Sequence, residues 1–269
     1  MKTVLRNLCI VSLPTVLIVG LALEIALRIS GYVPFYLDGN AFASSPDPRI
    51  LYELRPGFKG LYAGVPVSIN SLGFRGEEPA DDRDEPALRI AMIGDSIAFG
   101  QGVRDSETLS AQLQNALRSK THEVVAVTNL GVPTYDTCQE YWRFQQHALS
   151  LKPQAVVLVY VSNDTEPPFL QVIDGRVISA DVKPGWFGDM MGSLRKQSFL
   201  YNIVWSRWQV IKLGAPQVRD VQRALINNFE STSPGWKSSR VCLSSLASLY
   251  ALSRHTSDCD SISPAGGTR

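Results

Sequence analysis

The sequence has few of the features that mark nucleic-acid-binding or metal-binding proteins. Its 26 basic and 25 acidic residues leave a formal net charge of +1, and no Lys/Arg cluster is interleaved with aromatic side chains. This balance excludes an extended basic surface, so we expect no nucleic-acid partner. The three histidines and four cysteines show no metal-ligand spacing, so we expect no metal site.

The cysteines alone do not fix the cellular compartment. Cys9 lies in an apolar N-terminal segment, and Cys138 begins a predicted helix. Cys242 and Cys259 could form a disulfide in an oxidising compartment. Unpaired thiols are the alternative.

One long uncharged run stands near the N-terminus. Lys2 and Arg6 precede it, and no charge follows from Asn7 to Leu23. Its length is at the lower limit of the roughly 17–25 residues of a spanning helix and exceeds the about 7–15 residues of a signal-peptide core. Because no small-residue cleavage site follows, we predict that residues 1–33 form an uncleaved membrane anchor; a cleaved signal or a buried soluble helix are the alternatives. The positive flank then places the remaining chain on the extracytoplasmic, periplasmic side.

The middle of the chain divides into two segments with different sequence patterns. Residues 34–87 are rich in Pro, Gly and Asp and predict an irregular lead-in with short strands, ending in a charged linker. Residues 88–230 follow with short apolar runs and amphipathic stretches in turn, which predicts an α/β domain with a parallel sheet. The predicted strands are residues 88–94, 123–131 and 155–164, and the predicted helices are residues 107–120 and 138–151.

The later part of the chain carries fewer signals. Residues 170–179 predict a hairpin with Asp174-Gly175 at its turn, and residues 193–213 predict an amphipathic helix. Residues 231–269 are crowded with serine and contain no run resembling a buried strand. Within this atypical tail we predict one helix over "VCLSSLASLYAL" and disorder over the last fifteen residues.

Polar residues follow each of the three predicted strands. The strands end in Gly94-Asp95-Ser96, Asn129-Leu130-Gly131 and Ser162-Asn163-Asp164. Because ligands bind outside the carboxyl ends of parallel strands, we expect a functional site where these three segments meet.

The same segments resemble a known family. "GDSIAFGQG" resembles the nucleophile block of the SGNH (GDSL-type) hydrolase superfamily, "NLGVPTY" its glycine block and "VSND" its asparagine block. The preceding "INSLGFRG" resembles the lead-in of membrane-anchored bacterial members. The resemblance implies a three-layer α/β/α, flavodoxin-like fold and an ester hydrolase or O-acyl transferase that uses no cofactor.

The resemblance also implies a role for each strand-end residue. Ser96 would be the nucleophile, and the backbone N–H groups of Ser96 and Gly131 would stabilise an oxyanion together with the Asn163 amide. Asp95 and Asp164 would brace the two loops by accepting backbone hydrogen bonds. The alternatives are structural: a helix-entry serine, a turn glycine and an asparagine turn.

The general base is harder to identify. The family takes its Asp and His from a late Asp-x-x-His block, but none of the three histidines has an aspartate three residues earlier. His122 precedes the second strand and His147 lies within a predicted helix, so His255, in the right region of the chain, remains as the candidate base. The missing block also suggests that the C-terminal part of the domain is absent, replaced by a frameshifted or divergent terminus.

Two functional interpretations follow from the resemblance. The first is a serine ester hydrolase or O-acyl transferase whose substrate is an acyl ester, with envelope glycans as a plausible class. The second is a non-catalytic or truncated binding protein on the same fold that lacks the base. A flavodoxin-like nucleotide binder is disfavoured because "GDSIAFGQG" has neither the lysine of a P-loop nor a G-x-G-x-x-G spacing.

Overall fold

The computed structural model describes residues 8–33, 39–78, 87–166, 170–173, 175–179, 185–213 and 233–260. The chain divides into two compact units. The first comprises residues 1–37 and 181–217, and the second comprises residues 38–180 and 218–269.

Strands and helices are numbered in chain order. The strands are β1 (Phe42–Ser44), β2 (Tyr52–Leu54), β3 (Lys59–Tyr62), β4 (Val65–Ser68), β5 (Leu88–Gly94), β6 (Val125–Asn129), β7 (Ala155–Val159), β8 (Leu170–Ile173) and β9 (Arg176–Ser179). The helices are α1 (Leu13–Ile29), α2 (Ser96–Phe99), α3 (Leu109–Thr121), α4 (Thr137–Arg143), α5 (Trp186–Gln197), α6 (Phe199–Leu213) and α7 (Pro234–Asp260).

The centre of the second unit is a parallel sheet with the strand order β6-β5-β7. Ile90 of β5 pairs with Val127 on one side and Ala155 on the other. Residues 90–94 of this central strand are buried, which is typical of a strand covered on both faces. Helix α3 contacts β6, and α4 contacts β5. The predicted mixed α/β class with a parallel sheet is confirmed.

The lead-in forms short antiparallel pairs, β1 with β2 and β3 with β4. Its strands contribute large buried side chains, so the segment belongs to the core of the second unit: Phe42, Tyr52, Leu54 and Tyr62 are each at most 2% exposed. Farther along the chain, β8 and β9 pair antiparallel at the predicted positions. Asp174 of the predicted turn lies outside the described residues.

Helix α7 is longer than the sequence indicates. We expected one short helix and a disordered end, whereas the helix runs from Pro234 to Asp260; residues 261–269 lie outside the described residues. Leu246 is buried in the core with Ile93 and Phe144. This apolar contact stabilises the helix, and the serine-rich composition of the segment does not predict it. Three of its serine hydroxyls donate to carbonyls four residues back, which satisfies them within the helix: Ser244, Ser245 and Ser248.

The disulfide differs from the expected pair. Cys138 of α4 is bonded to Cys242 of α7, with the two Cα atoms 5.2 Å apart. We expected either a Cys242–Cys259 bond or free thiols. Helix packing brings Cys138 to Cys242 although 104 residues separate them in the chain.

The first unit consists of the apolar helix α1 and the helices α5 and α6. Residues Ile10–Ile29 are long and apolar enough to cross a membrane, with a mean hydropathy of 2.3. The helix predicted over residues 193–213 is divided into two. Ser198 adopts an extended conformation between them, and its hydroxyl donates to Glu24 of α1.

We predict that the disulfide contributes strongly to stability. In the chain-entropy treatment, a bond closing a loop of this length stabilises the fold by about 4–5 kcal/mol. Cys242→Ser should therefore lower the free energy of unfolding by several kcal/mol in denaturant titrations without reductant. As the control, reductant should lower the stability of the wild type to that of Cys242→Ser and leave that variant unchanged. Equal stability of wild type and Cys242→Ser would show that the bond contributes nothing.

Candidate functional site

The candidate site lies where the strand connections change direction. The central strand β5 has β6 as its neighbour at one edge and β7 at the other. The chain therefore runs from β5 outward to β6 and then crosses to the opposite edge to form β7. In such sheets the ligand crevice forms at the carboxyl ends of the strands beside this reversal. Ser96 follows β5 and Asn163 follows β7, so the two residues flank this position.

Ser96 begins the short helix α2, directly after β5. Gly94 makes the turn possible: its φ is +148°, and a Cβ at this position would lie 2.7 Å from the Val159 carbonyl oxygen. Asp95 caps the helix by accepting the Ile97 N–H. The Ser96 N–H lies in the first turn, where a backbone amide has no partner within the helix. The Ser96 side chain is partly exposed.

The Asp95 carboxylate connects the two loops. Its Oδ1 accepts the Ile97 N–H at 2.9 Å. Its Oδ2 accepts the Ser96 hydroxyl at 3.0 Å and the Asn163 side-chain amide at 2.9 Å. Because both donors contact the same oxygen, the Ser96 hydroxyl and the Asn163 amide lie within about 6 Å of each other. The structure thus brings together the serine and asparagine that the sequence pointed to.

Gly131 lies beside them but is engaged elsewhere. Its N–H donates to the Asn129 side-chain oxygen at 3.0 Å, so this amide is not free for an oxyanion in this structure. Glycine is required here for packing. A Cβ at position 131 would lie 2.3 Å from the Phe99 nitrogen and 2.7 Å from the Ala98 carbonyl carbon.

Asn129 and Arg75 hold the loop that follows Ser96. The Asn129 amide donates to the carbonyl oxygens of Ala98 and Phe99. The Arg75 guanidinium is buried and donates to the carbonyls of Phe99, Gly100 and Val103, and it also pairs with Asp105 at 2.9 Å. The arginine of the "NSLGFRG" segment therefore holds the loop that follows Ser96.

Buried carboxyl groups lie beneath the site. Asp164 is fully buried, and its Oδ2 accepts the Val161 N–H of its own loop at 2.7 Å. Burial raises the Asp164 pKa to about 7, helped by the charge of Asp95. Burial, with the charges of Asp164 and Asp95, also raises the pKa of Glu140 well above its usual range. Neither Glu140 oxygen has a hydrogen-bond partner among the described residues.

The described histidines are not at this edge. His122 ends α3 just before β6, at the opposite edge of the sheet. His147 lies about 15 Å along the helical segment from the start of α4, and its Nε2 is 3.0 Å from a Glu53 oxygen. That contact is the main cause that lowers the Glu53 pKa to about 2.

The backbone position of His255 also argues against the expected base. Helix α7 starts beside the site, because a Cβ on Gly235 would meet the Thr165 carbonyl. Farther along, the Tyr250 hydroxyl donates to the carbonyl of Gln154, which lies just before β7 at the opposite edge. His255 comes five residues later, so the course of α7 carries it away from Ser96; its side chain lies outside the described atoms.

The sequence alone assigned no role to four buried residues around the site. Arg75, Asn129, Glu140 and Arg143 are all at most 4% exposed. Arg75 was part of a recognised motif, and burial of its charge was the missing information. Arg143 donates to the carbonyls of Leu130 and Gly73, which joins the glycine block to the lead-in. No periodicity in the sequence signals these contacts.

We predict that Gly131→Ala displaces α2. The added methyl group would overlap the backbone of Phe99, so the substitution should cost at least about 2 kcal/mol of unfolding free energy. Chemical denaturation measures this loss. Gly192→Ala in α5 is the matched control, because open space surrounds that position and alanine favours a helix. Equal stability of the two variants would contradict the close packing at Gly131.

We predict that Asp164 makes the protein less stable as the pH rises. Its pKa is about 7 in the folded state against 3.8 ordinarily, so the folded protein holds a proton that the unfolded chain has lost. The unfolding free energy contributed by Asp164 should therefore decrease as the pH rises from about 4 to about 7. In Asp164→Asn this decrease should be smaller, and the exposed control Glu123→Gln should follow wild type. Identical pH profiles for wild type and Asp164→Asn would refute this assignment.

Comparison with known proteins assigns no family to the chain. The chain matches none of the protein-family models and none of the curated proteins.

Proposed function

We propose that this protein is a serine ester hydrolase or O-acyl transferase of the SGNH type, with Ser96 as the acyl-accepting nucleophile. The observation that carries the proposal is the shared contact of Ser96 and Asn163 with one oxygen of Asp95. This contact places a partly exposed hydroxyl and a side-chain amide about 6 Å apart or less at the crevice position of a parallel sheet. A serine nucleophile with nearby N–H donors is the arrangement that acyl transfer requires.

The reaction begins at the Ser96 oxygen. The hydroxyl oxygen attacks the ester carbonyl carbon while the hydroxyl donates its hydrogen bond to Asp95. The bond between the carbonyl carbon and the ester's alcohol oxygen then breaks, and the alcohol leaves with the proton that Ser96 gives up. The Asn163 amide is the nearest side-chain donor for the developing oxyanion, provided that it leaves Asp95. The acyl group then passes from Ser96 to water in a hydrolase, or to a sugar hydroxyl in a transferase. An acyl ester on an envelope glycan is the proposed substrate class.

The proposed location is outside the cytoplasm, anchored by α1. Lys2 and Arg6 precede the apolar segment and favour the cytoplasmic side for the N-terminus. The Cys138–Cys242 bond supports an extracytoplasmic location for the second unit, because disulfides persist in oxidising compartments such as the bacterial periplasm.

A non-catalytic binding protein on this fold is the second candidate. Two of the proposed oxyanion donors already hydrogen-bond to other protein groups, which favours this second function. The Asn163 amide donates to Asp95, and the Gly131 N–H donates to Asn129. Donors aimed at other protein groups must be freed before they can stabilise an oxyanion, which reduces their contribution to catalysis.

We predict slow turnover combined with a nucleophilic Ser96. None of the described histidine side chains lies near Ser96, and general-base assistance typically contributes about 10²–10⁴-fold to such a reaction. The full chain should therefore hydrolyse p-nitrophenyl acetate at most about tenfold faster than Ser96→Ala does. A fluorophosphonate probe should nevertheless label Ser96 slowly, as detected by mass spectrometry of peptides. Ser244→Ala, which removes a serine hydroxyl of α7, is the control and should label like wild type.

The two candidate functions give opposite labelling results. If Ser96 is not labelled and calorimetry shows that the chain binds an acylated glycan, the protein is a binding protein and not an enzyme. Ordinary esterase rates abolished by Ser96→Ala would instead show that a base is present. The variant Asp95→Asn would then test whether Asp95, which accepts the Ser96 hydroxyl, is that base.

A further inference from the structure

Helix α5 exposes an apolar stripe that the second unit's site does not use. Trp186, Phe187, Met190 and Leu194 are exposed by 78%, 59%, 40% and 41%. At 100° per residue these side chains cover one sector of the helix about 100° wide. An apolar sector of this width normally faces a protein core or a lipid surface.

Helix α6 has a similar exposed face. Val204, Trp208 and Ile211 are exposed by 56%, 59% and 73%, and their i, i+4, i+7 spacing places them in one row. Singly exposed apolar side chains are common, but here seven of them lie in two rows on helices that contact each other. Exposed apolar surface of this extent is typical of an interaction surface.

The first unit ties this pair of helices to α1. Glu24 of α1 accepts the N–H groups of Phe199 and Leu200 at the start of α6, at 3.1 and 2.9 Å, and it accepts the Ser198 hydroxyl at 3.0 Å. The two N–H groups are among the amides that a helix leaves unpaired at its N-terminus. An acidic residue within an apolar segment thereby obtains the partners that it would lack in lipid.

This contact fixes the depth of α6 relative to α1. Glu24 lies five residues before Ile29, the end of the apolar segment, which corresponds to about 7.5 Å along a helix. When α1 spans a bilayer, the start of α6 therefore lies about 5–10 Å below the end of the span, the depth at which interfacial helices bury their apolar faces.

Side chains at this end of α1 are those typical of a membrane interface. The Arg28 guanidinium lies 4.7 Å from the centre of the Phe199 ring and pairs with Glu24. The Tyr32 ring contacts Phe199 at 6.0 Å between ring centres. Aromatic and basic side chains are enriched where a span leaves the hydrocarbon.

The charge of the helix pair also suits a lipid surface. Residues 186–213 contain four basic side chains, Arg195, Lys196, Arg207 and Lys212, against one acidic side chain, Asp189. Anionic headgroups attract such a segment, whereas a second copy of the same surface would repel it.

We propose that α5 and α6 lie in the interface of the membrane that α1 spans, with the apolar rows of both helices inserted among the lipid chains. The occupant of this surface is lipid, and the contact is continuous with α1. This second membrane contact does not depend on the chemistry proposed for Ser96, but it does depend on α1 spanning the bilayer.

Tryptophan fluorescence tests the proposal in the full chain. The protein is reconstituted in vesicles of phosphatidylethanolamine and phosphatidylglycerol that contain phosphatidylcholine brominated near the top of the acyl chains. Bromine quenches only tryptophans at that depth. We expect quenching in wild type and a reduction by at least about half in the Trp186→Phe/Trp208→Phe variant. Trp142→Phe and Trp236→Phe, in the other unit, are the matched controls and should quench like wild type.

The remaining outcomes contradict the proposal. A protein that floats with the vesicles but shows no bromine quenching has its helix pair outside the lipid. Protection of Trp186 and Trp208 from both bromine and aqueous iodide would indicate a second copy or another protein on this surface. A chain that does not float with the vesicles at all would overturn both the anchor and the interfacial helices.

Discussion

The candidate site depends on one carboxylate, that of Asp95. One of its oxygens caps α2 and the other receives donors from Ser96 and Asn163. The bond to Asn163 joins the loops after β5 and β7, whose adjacent strands end at the same edge. Hydrogen bonds to a charged acceptor are stronger than those between neutral groups, so this carboxylate holds the two loops in register. Removing it would leave both loops without their common acceptor.

The same carboxylate limits what the site can do. Ser96 and Asn163 both donate their hydrogen bonds to Asp95. Acyl transfer needs donors aimed at a developing negative charge. An arriving substrate must therefore compete with Asp95 for the amide of Asn163, and this competition distinguishes the present geometry from a preorganised oxyanion site.

The sequence predicts the central features of the fold because their signals are local. The apolar runs before Ser96 and Asn163 indicate buried strands, and parallel pairing then brings both strand ends to one edge. Contacts distant in the chain give no such signal. The bond between Cys138 and Cys242 and the burial of Arg75 depend on how helices and loops pack. The length of α7 was underestimated for the same reason, because a few buried side chains stabilise a serine-rich helix.

The disulfide has a consequence for chain cleavage. The bond closes a covalent ring that contains every residue from Cys138 to Cys242, including α5 and α6. A protease that cuts the backbone once within this ring opens it without separating the two pieces. The fragment carrying α7 then stays attached to the fragment carrying Ser96, and Leu246 remains available to the core. A nicked molecule would run as an intact chain on a gel until a reductant is added.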